Sequence, residues 1–305
     1  MTLGMSARYI VTALGHGRVR HGLCALGIAV LLAAPLCLPA STWAQSQRDL
    51  LVCADPNNLP FSNDKLEGFE NKIASLIAED LGAKVRYTWS DQRRGFLRRT
   101  LHAHRCDLVM GVPAGLPGVS ITEPYYTSSY VFVWARERNL QLAGFDDPVL
   151  GELKIGLEAI GVEGANTPPA SALARRGLTS HVVGFTKPEA GEIDTRAARI
   201  VDAVASKEID TAIVWGPFGG YYAKRYADKL AIAPIVSDPK QPSLALAFSI
   251  ALGVRSEDEA FKAELQGVLD RRHDEIRAIL RDYGVPLVMR APSDGEAMSA
   301  AGAAQ

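Results

Sequence analysis

The chain lacks a surplus of charge of either sign: 33 Lys and Arg face 34 Asp and Glu across 305 residues. With no dominating basic tract, it is a poor nucleic-acid binder. Beyond residue 44 no run approaches the roughly 20 apolar residues that a spanning helix needs, which argues against a polytopic membrane protein. The short motifs of several enzyme classes are missing too. There is no Gly-rich phosphate loop, no Gly-x-Ser-x-Gly and no His-Glu-x-x-His. Only four histidines follow residue 44, and the two that lie close, His102 and His104, point to different sides of an expected helix. They make a poor metal pair. No matched acid–base pair stands out, which argues against catalysis; Asp55 and Glu123 are the carboxylates such chemistry would have to use.

The slightly positive mean hydropathy of +0.03 has a local source. The first 44 residues carry Arg8, Arg18 and Arg20, no acid, an apolar run from Gly22 to Leu38, and small residues before Ala44. A positive start, a 17-residue apolar core and a small residue at the end describe a secretory signal peptide, and the run is short for a membrane anchor. Cleavage after Ala44 is expected, with Met5 as an alternative start. Residues 45–305 would then form an exported chain of 261 residues with 30 basic and 34 acidic side chains, a net charge of −4. The periplasm is the expected compartment, with no membrane insertion of the mature chain. Cysteine is sparse there. Cys53 and Cys106 are an even number in an oxidising compartment, which favours a bridge. One lies late in a strand and the other just before a second, at different heights if the strands are parallel, which opposes it. The sequence leaves the pairing open.

Strand and helix patterns alternate along the remainder. Asp49–Ala54 is a short apolar strand run, followed by the turn residues Asp55-Pro56-Asn57-Asn58. Phe69, Ile73, Leu76, Ile77 and Leu81 repeat at helical spacing, and Gly82 closes the helix. Residues 84–89 alternate as a strand, a basic helix is expected over 92–104, and 107–112 is a buried strand run. This order implies parallel strands with ligand loops at their carboxyl ends. A second α/β set follows: strands at 153–157, 181–185 and 209–215, helices at 168–176 and 195–206. Apolar runs at 130–135 and 245–254 are candidate crossings between the halves, and 257–283 reads as one or two amphipathic helices. The expected architecture is α/β with two lobes, 45–131 plus 249–290 and 132–248, a hinged cleft between them, and a disordered tail over 291–305.

Gly68-Phe69-Glu70-Asn71-Lys72-Ile73, Leu81-Gly82, Cys106-Asp107-Leu108-Val109 and Glu123-Pro124-Tyr125-Tyr126 resemble the type II periplasmic solute-binding proteins, the family 3 group that serves amino-acid ABC transporters. The α/β plan extends that likeness over nearly all of residues 45–290. Asp55-Pro56-Asn57-Asn58-Leu59-Pro60-Phe61-Ser62-Asn63, Gln92-Arg93-Arg94-Gly95-Phe96 and Trp215-Gly216-Pro217-Phe218-Gly219-Gly220-Tyr221 are similar to a narrower branch, the quinoprotein-dehydrogenase-associated subfamily that includes the J accessory proteins of methanol dehydrogenase operons. The resemblance implies a type II binding-protein fold with two hinge-crossing strands. It also implies a non-catalytic periplasmic factor that assists maturation or activation of a dehydrogenase dependent on pyrroloquinoline quinone (PQQ), with that enzyme and its cytochrome c as partners.

Two departures from the amino-acid-binding pattern matter. Where those proteins carry a Thr-Pro-Glu-Arg-like segment whose arginine grips a carboxylate, residues 113–120 contain no basic residue. A bidentate arginine is hard to replace for that task. The Gly-Thr-Thr-like loop of the second lobe is replaced by Gly164-Ala165-Asn166-Thr167-Pro168-Pro169. Both argue against a free amino acid as ligand. The leading alternative is an ABC-transporter receptor for another small solute; a dehydratase is the third.

Strand ends nominate the cleft residues. Asp55, Asn57, Asn58 and Phe61 leave the first strand, though Asp-Pro-Asn-Asn is also plain turn chemistry. Trp89, Arg93 and Arg94 follow the next strand, and Pro113 and Tyr125 stand after the third. Trp215, Gly216, Pro217 and Tyr221 follow a second-lobe strand. Tyr130 and Trp134 are expected in ordinary core packing. Five arginines lie between Gln92 and Arg105, suited to a solvated face or to steering an acidic partner.

Overall fold

A computed structural model describes residues 48–158, 167–185 and 196–289. The expected leader, the expected tail and the loop at 164–166 lie outside the described residues. The first half of the fold is built on β1 (Arg48–Ala54), which pairs in parallel with β4 (Ala83–Trp89) and β5 (Leu108–Pro113). Between β1 and β4 a tight hairpin of β2 (Asn57–Asn58) and β3 (Ser62–Asn63) precedes α1 (Phe69–Asp80). Helix α1 buries Phe69, Ile73, Leu76 and Ile77 against the sheet, the stripe its spacing predicts. Its start is anchored by Asn71, whose Oδ1 accepts from Gly68 N and Asn63 N, each at 3.1 Å. Residue 68 has to be glycine, because a Cβ there would overlap the Phe61 carbonyl.

The expected basic helix is much shorter than its pattern. Helix α2 spans Phe96–Arg99 only, and a single 3-10 turn follows at Leu101–Ala103. Gly95 and His104 both adopt left-handed backbone, φ 80° and 52°, and interrupt the helix at either end. That turn decides the cysteines. It lays Cys106 back against β1, and Cys53 and Cys106 form a disulfide with Cα atoms 5.5 Å apart. The argument from strand height fails because Cys106 sits in the approach to β5 and does not continue its line. Phe96, Leu101, Val109 and Val112 pack around the bridge.

The two halves share one sheet path, in the order β4-β1-β5-β12-β7-β10-β8-β9. The short β6 (Ser120–Ile121) edges β12. Strand β7 (Tyr126–Ala135) serves both halves. Its residues 126–129 pair with β12 (Ala247–Val254), residues 130–134 pair with β10 (Thr211–Trp215) on one side, and residues 130–135 pair with β11 (Leu230–Ile235) on the other. The partner changes at Ser129/Tyr130, where Tyr130 N donates to Leu246 O at 2.9 Å. The second half adds β8 (Ile155–Glu158), α3 (Pro168–Ala174), β9 (Val182–Phe185), α4 (Arg196–Ala205) and α5 (Gly216–Ala223). Thr167 takes the N-cap position of α3 with Pro168 behind it, but its side chain makes no cap hydrogen bond.

Besides the two-residue strands β2, β3 and β6, strand β11 and helix α5 are not announced by the sequence. Strand β11 contains Pro234, which masks its strand pattern, and it lies on β7 where no further strand pairs beyond it. Helix α5 is glycine-rich and has no helical propensity to announce it. Its glycines are required by contact, since a Cβ on Gly219 would stand 2.6 Å from Val131 Cγ2. The last segment forms two helices, α6 (Glu259–Arg271) and α7 (His273–Asp282), which pack with α1 over the first half's core. The second half is held together at one edge by Arg176, whose guanidinium donates to both oxygens of buried Asp238 at 2.7 and 2.8 Å and to Asp146 at 2.9 and 3.0 Å.

Candidate functional site

The site begins at the end of β1. Asp55 Oδ1 accepts from Asn57 N at 2.8 Å, and its Oδ2 accepts from Gln92 N at 2.7 Å. One oxygen therefore shapes the turn into the 55–63 hairpin and the other holds it against the loop after β4. Asn58 Nδ2 donates to Gln92 Oε1 at 3.0 Å, and Ser62 Oγ donates to Asp55 O at 2.8 Å. The hairpin, whose Leu59–Pro60 peptide is cis, projects Phe61 towards the second half. Its ring lies 5.1 Å edge-on from Phe218 of α5 and 5.0 Å from Phe69. From the other side Trp215, at the end of β10, sets its ring 5.6 Å from both Tyr130 and Phe248.

Between these aromatic groups lies a cavity of about 320 Å³. The first half contributes Asn58, Phe61, Glu70, Gln92, Gly111, Pro113, Tyr126, Phe248 and Ile250 to its wall. The second half contributes Tyr130, Trp215 and Phe218. Among the described residues the wall contains no Lys, Arg or His.

Its floor holds a buried acid. Glu70, in the first turn of α1, is 7% exposed, and burial pushes its carboxyl up to about 8. The carboxyl occupies the space a side chain at residue 111 would fill, and Gly111 has left-handed backbone, φ 68°. The hydroxyls of Tyr87, Tyr125 and Tyr126 are buried with no hydrogen-bond partner among the described residues. Desolvation, with the nearby Glu70 charge, raises all three.

Helix α5 ties the halves together beside the cavity. Tyr222 Oη donates to Leu59 O at 3.0 Å, and Tyr221 stacks on Tyr283 with ring centroids 5.9 Å apart. A Cβ on Gly216 would stand 2.5 Å from Ser129 O, and one on Gly220 would overlap the Gly284 carbonyl. Glycine at these positions lets α5 approach β7 and the 283–286 segment closely.

Of the residues expected from sequence, Asn58, Phe61, Pro113 and Trp215 line this cavity. Asp55 and Asn57 build the hairpin behind it. Gly216 and Pro217 form the first turn of α5, and Tyr221 faces Tyr283. Trp89 stacks on Tyr87 at 4.5 Å, at the end of β4. Arg93 and Arg94 are exposed; Arg93 pairs with Asp91 at 3.2 Å, and Gln92 is the residue of that loop in the cavity wall. Tyr125 is buried with its ring edge-on to Tyr126, 5.0 Å away, and Tyr126 takes the wall position instead. Strand β7 begins at Tyr126, four residues before the expected run at 130–135, and Tyr125 stands just outside it. Trp134 is core, as expected, while Tyr130 both packs on the core and lines the cavity.

Sequence reasoning missed Glu70, Gln92, Gly111, Tyr126 and Phe248. For Glu70 a signal existed: it lies three and seven residues before Ile73 and Ile77, on the buried stripe of α1. Glu123, the other carboxylate considered, is exposed and its N–H donates to Gln266. Among the described residues no group of His, Cys, Asp and Glu is arranged to hold a metal, and no helix is long and apolar enough to cross a membrane.

No protein-family model matches the chain. The fold is that of solved periplasmic binding proteins: an ancestral cationic amino-acid solute-binding protein, 19% identical, superposes with a TM-score of 0.60 over 77% of this chain and 95% of its own. The molecule is thus a two-lobed α/β protein of the type II periplasmic binding class. Within that class it is similar to Protein MoxJ of Methylorubrum extorquens, 30% identical over 90% of this chain and 97% of the relative. The crystal structure of the periplasmic binding protein XoxJ from Methylobacterium extorquens AM1 is 36% identical and covers 79% of this chain and all of its own, with a TM-score of 0.65. That of MxaJ from Methlophaga aminisulfidivorans is 28% identical over 78% of this chain and all of its own, with a TM-score of 0.69. The chain belongs to the MoxJ/XoxJ family of type II solute-binding proteins.

Proposed function

We propose that this protein is a periplasmic, non-catalytic accessory factor that assists maturation or activation of a PQQ-dependent methanol or alcohol dehydrogenase. In this reading the cavity between the lobes, 45–131 with 249–290 and 132–248, receives a segment of the enzyme while cofactor and metal settle, and the enzyme's cytochrome c is a second candidate partner. The observation that supports it most is the character of the wall: six aromatic rings and, among the described residues, no basic side chain. Such a surface has nothing to grip a carboxylate and much to grip an apolar or flat segment. The ties through α5 support it as well, because a receptor that clamps a solute by closing would have to break and remake Tyr222–Leu59, Tyr221–Tyr283 and Phe61–Phe218.

The test is co-purification with the dehydrogenase encoded nearest to this chain, and reactivation of its apo form with added cofactor. Binding is expected, with a gain in activity that falls at least tenfold in Trp215→Ala. Absence of both binding and activation overturns the reading. A submicromolar small ligand in a thermal-shift screen, without dehydrogenase binding, establishes the solute-receptor alternative instead.

A further inference from the structure

Glu70 is out of place in an apolar pocket. The groups facing it, the hydroxyls of Tyr87, Tyr125 and Tyr126, are neutral, and burial is the sole cause of its raised pKa. A carboxyl that merely filled space would be better replaced by a hydrocarbon of the same volume. The rings around it offer negative π-faces, which attract a cation and not an anion. Among the described residues no second carboxylate or imidazole joins it, so they form no metal site there.

We propose that the cavity takes an alkylammonium group, held among Phe61, Tyr126, Trp215 and Phe218 with the Glu70 carboxylate as its counter-charge. The choice of ammonium over guanidinium rests on Gly111. Glu70 Oε1 is seated in the gap that the missing side chain leaves, so the carboxylate cannot present both oxygens to a planar fork. The ammonium arrives charged and Glu70 gives up its proton to solvent on binding. Burial supplies the poise: the carboxyl is largely protonated at neutral pH and ionises when a cation enters. The same chemistry is available from a lysine side chain of a docked protein or from a free amine. The site itself rests on the cavity alone; the lysine source rests in addition on the dehydrogenase reading.

The test is calorimetric titration of the full chain with n-butylammonium chloride, and with n-butanol as neutral isostere, at pH 6.5 and 8.5. Butylammonium is expected to bind saturably, about 25-fold tighter at pH 8.5, with proton release at the lower pH. Glu70→Gln, checked for an intact melting transition, is expected to lose at least tenfold and the pH dependence, and Trp215→Leu to weaken binding with the pH dependence kept. Equal binding of butanol, or unchanged binding in Glu70→Gln, overturns the proposal. Displacement of the bound dehydrogenase by excess butylammonium assigns the cation to a partner lysine; butylammonium binding without displacement assigns it to a free amine. Dehydrogenase docking with no butylammonium binding removes this inference and leaves the accessory reading standing.

Discussion

Glu70 and Gly111 are fitted to one another: the carboxyl of the first sits where the second would carry a side chain. The two residues come from α1 and β5, 41 positions apart, and the fit holds a carboxyl against the floor of an aromatic cavity. Gly111 lies beside the irregularity in the β5–β12 pairing between Ala251 and Gly253, which accommodates its left-handed backbone.

Gly111→Ala is expected to destabilise the protein on two counts. The backbone conformation costs an alanine about 1–2 kcal/mol, and the added Cβ would push the Glu70 carboxyl from its seat towards the cavity. A total of about 2–4 kcal/mol follows. Thermal melting checks it, and a melting temperature equal to wild type removes the account.

Glu70 also sets a pH dependence. Its folded pKa, about 8, lies above the ordinary 4.5, so the folded state keeps a proton that the unfolded state loses. The stability associated with this is fully present below pH 4.5 and is lost as pH rises towards 8, with a slope of at most about 1.4 kcal/mol per pH unit. Urea unfolding at several pH values is expected to show the decline in wild type and a flatter profile in Glu70→Gln.

The Cys53–Cys106 bridge closes a loop across 53 positions. Reduction, or Cys53→Ser with Cys106→Ser, is expected to cost about 2–4 kcal/mol. Dithiothreitol should lower the melting temperature of wild type and leave the double variant unmoved. A wild type indifferent to reductant would show that the bridge contributes nothing.

Tyr222→Phe removes the hydrogen bond from α5 to the Leu59 carbonyl while keeping the ring. A cost of about 1 kcal/mol is expected. Because the bond joins the two halves beside the cavity, the larger effect should be on shape. Small-angle scattering is expected to report a wider particle in Tyr222→Phe, and an unchanged scattering profile would mean that the remaining ring contacts alone hold the halves.

The α/β plan was legible because it is local. The stripe of Phe69, Ile73, Leu76 and Ile77 and the apolar runs of β1, β5 and β10 follow from periodicities of a few residues. Helix α5 and strand β11 were not legible, because glycines and a proline conceal them and tertiary contact with β7 overrides their weak propensities. The cavity was half legible. Strand ends pointed to Asn58, Phe61, Pro113 and Trp215, whereas Phe248 and Tyr126 reach it only through the antiparallel pairing of β12 with β7.

By itself the sequence determined the alternation of elements, their buried faces, the absence of a basic residue over 113–120, and the family likeness in its glycine and aromatic motifs. These depend on neighbours along the chain, and neighbours are what a sequence displays. The tertiary structure alone decided that Cys53 meets Cys106, that Arg93 and Arg94 face solvent while Gln92 lines the cavity, and that Glu70 lies buried beneath aromatic rings. Each of these turns on a backbone reversal, at His104, Gly95 or Gly111, where one left-handed residue redirects the chain and brings together groups that no local period connects.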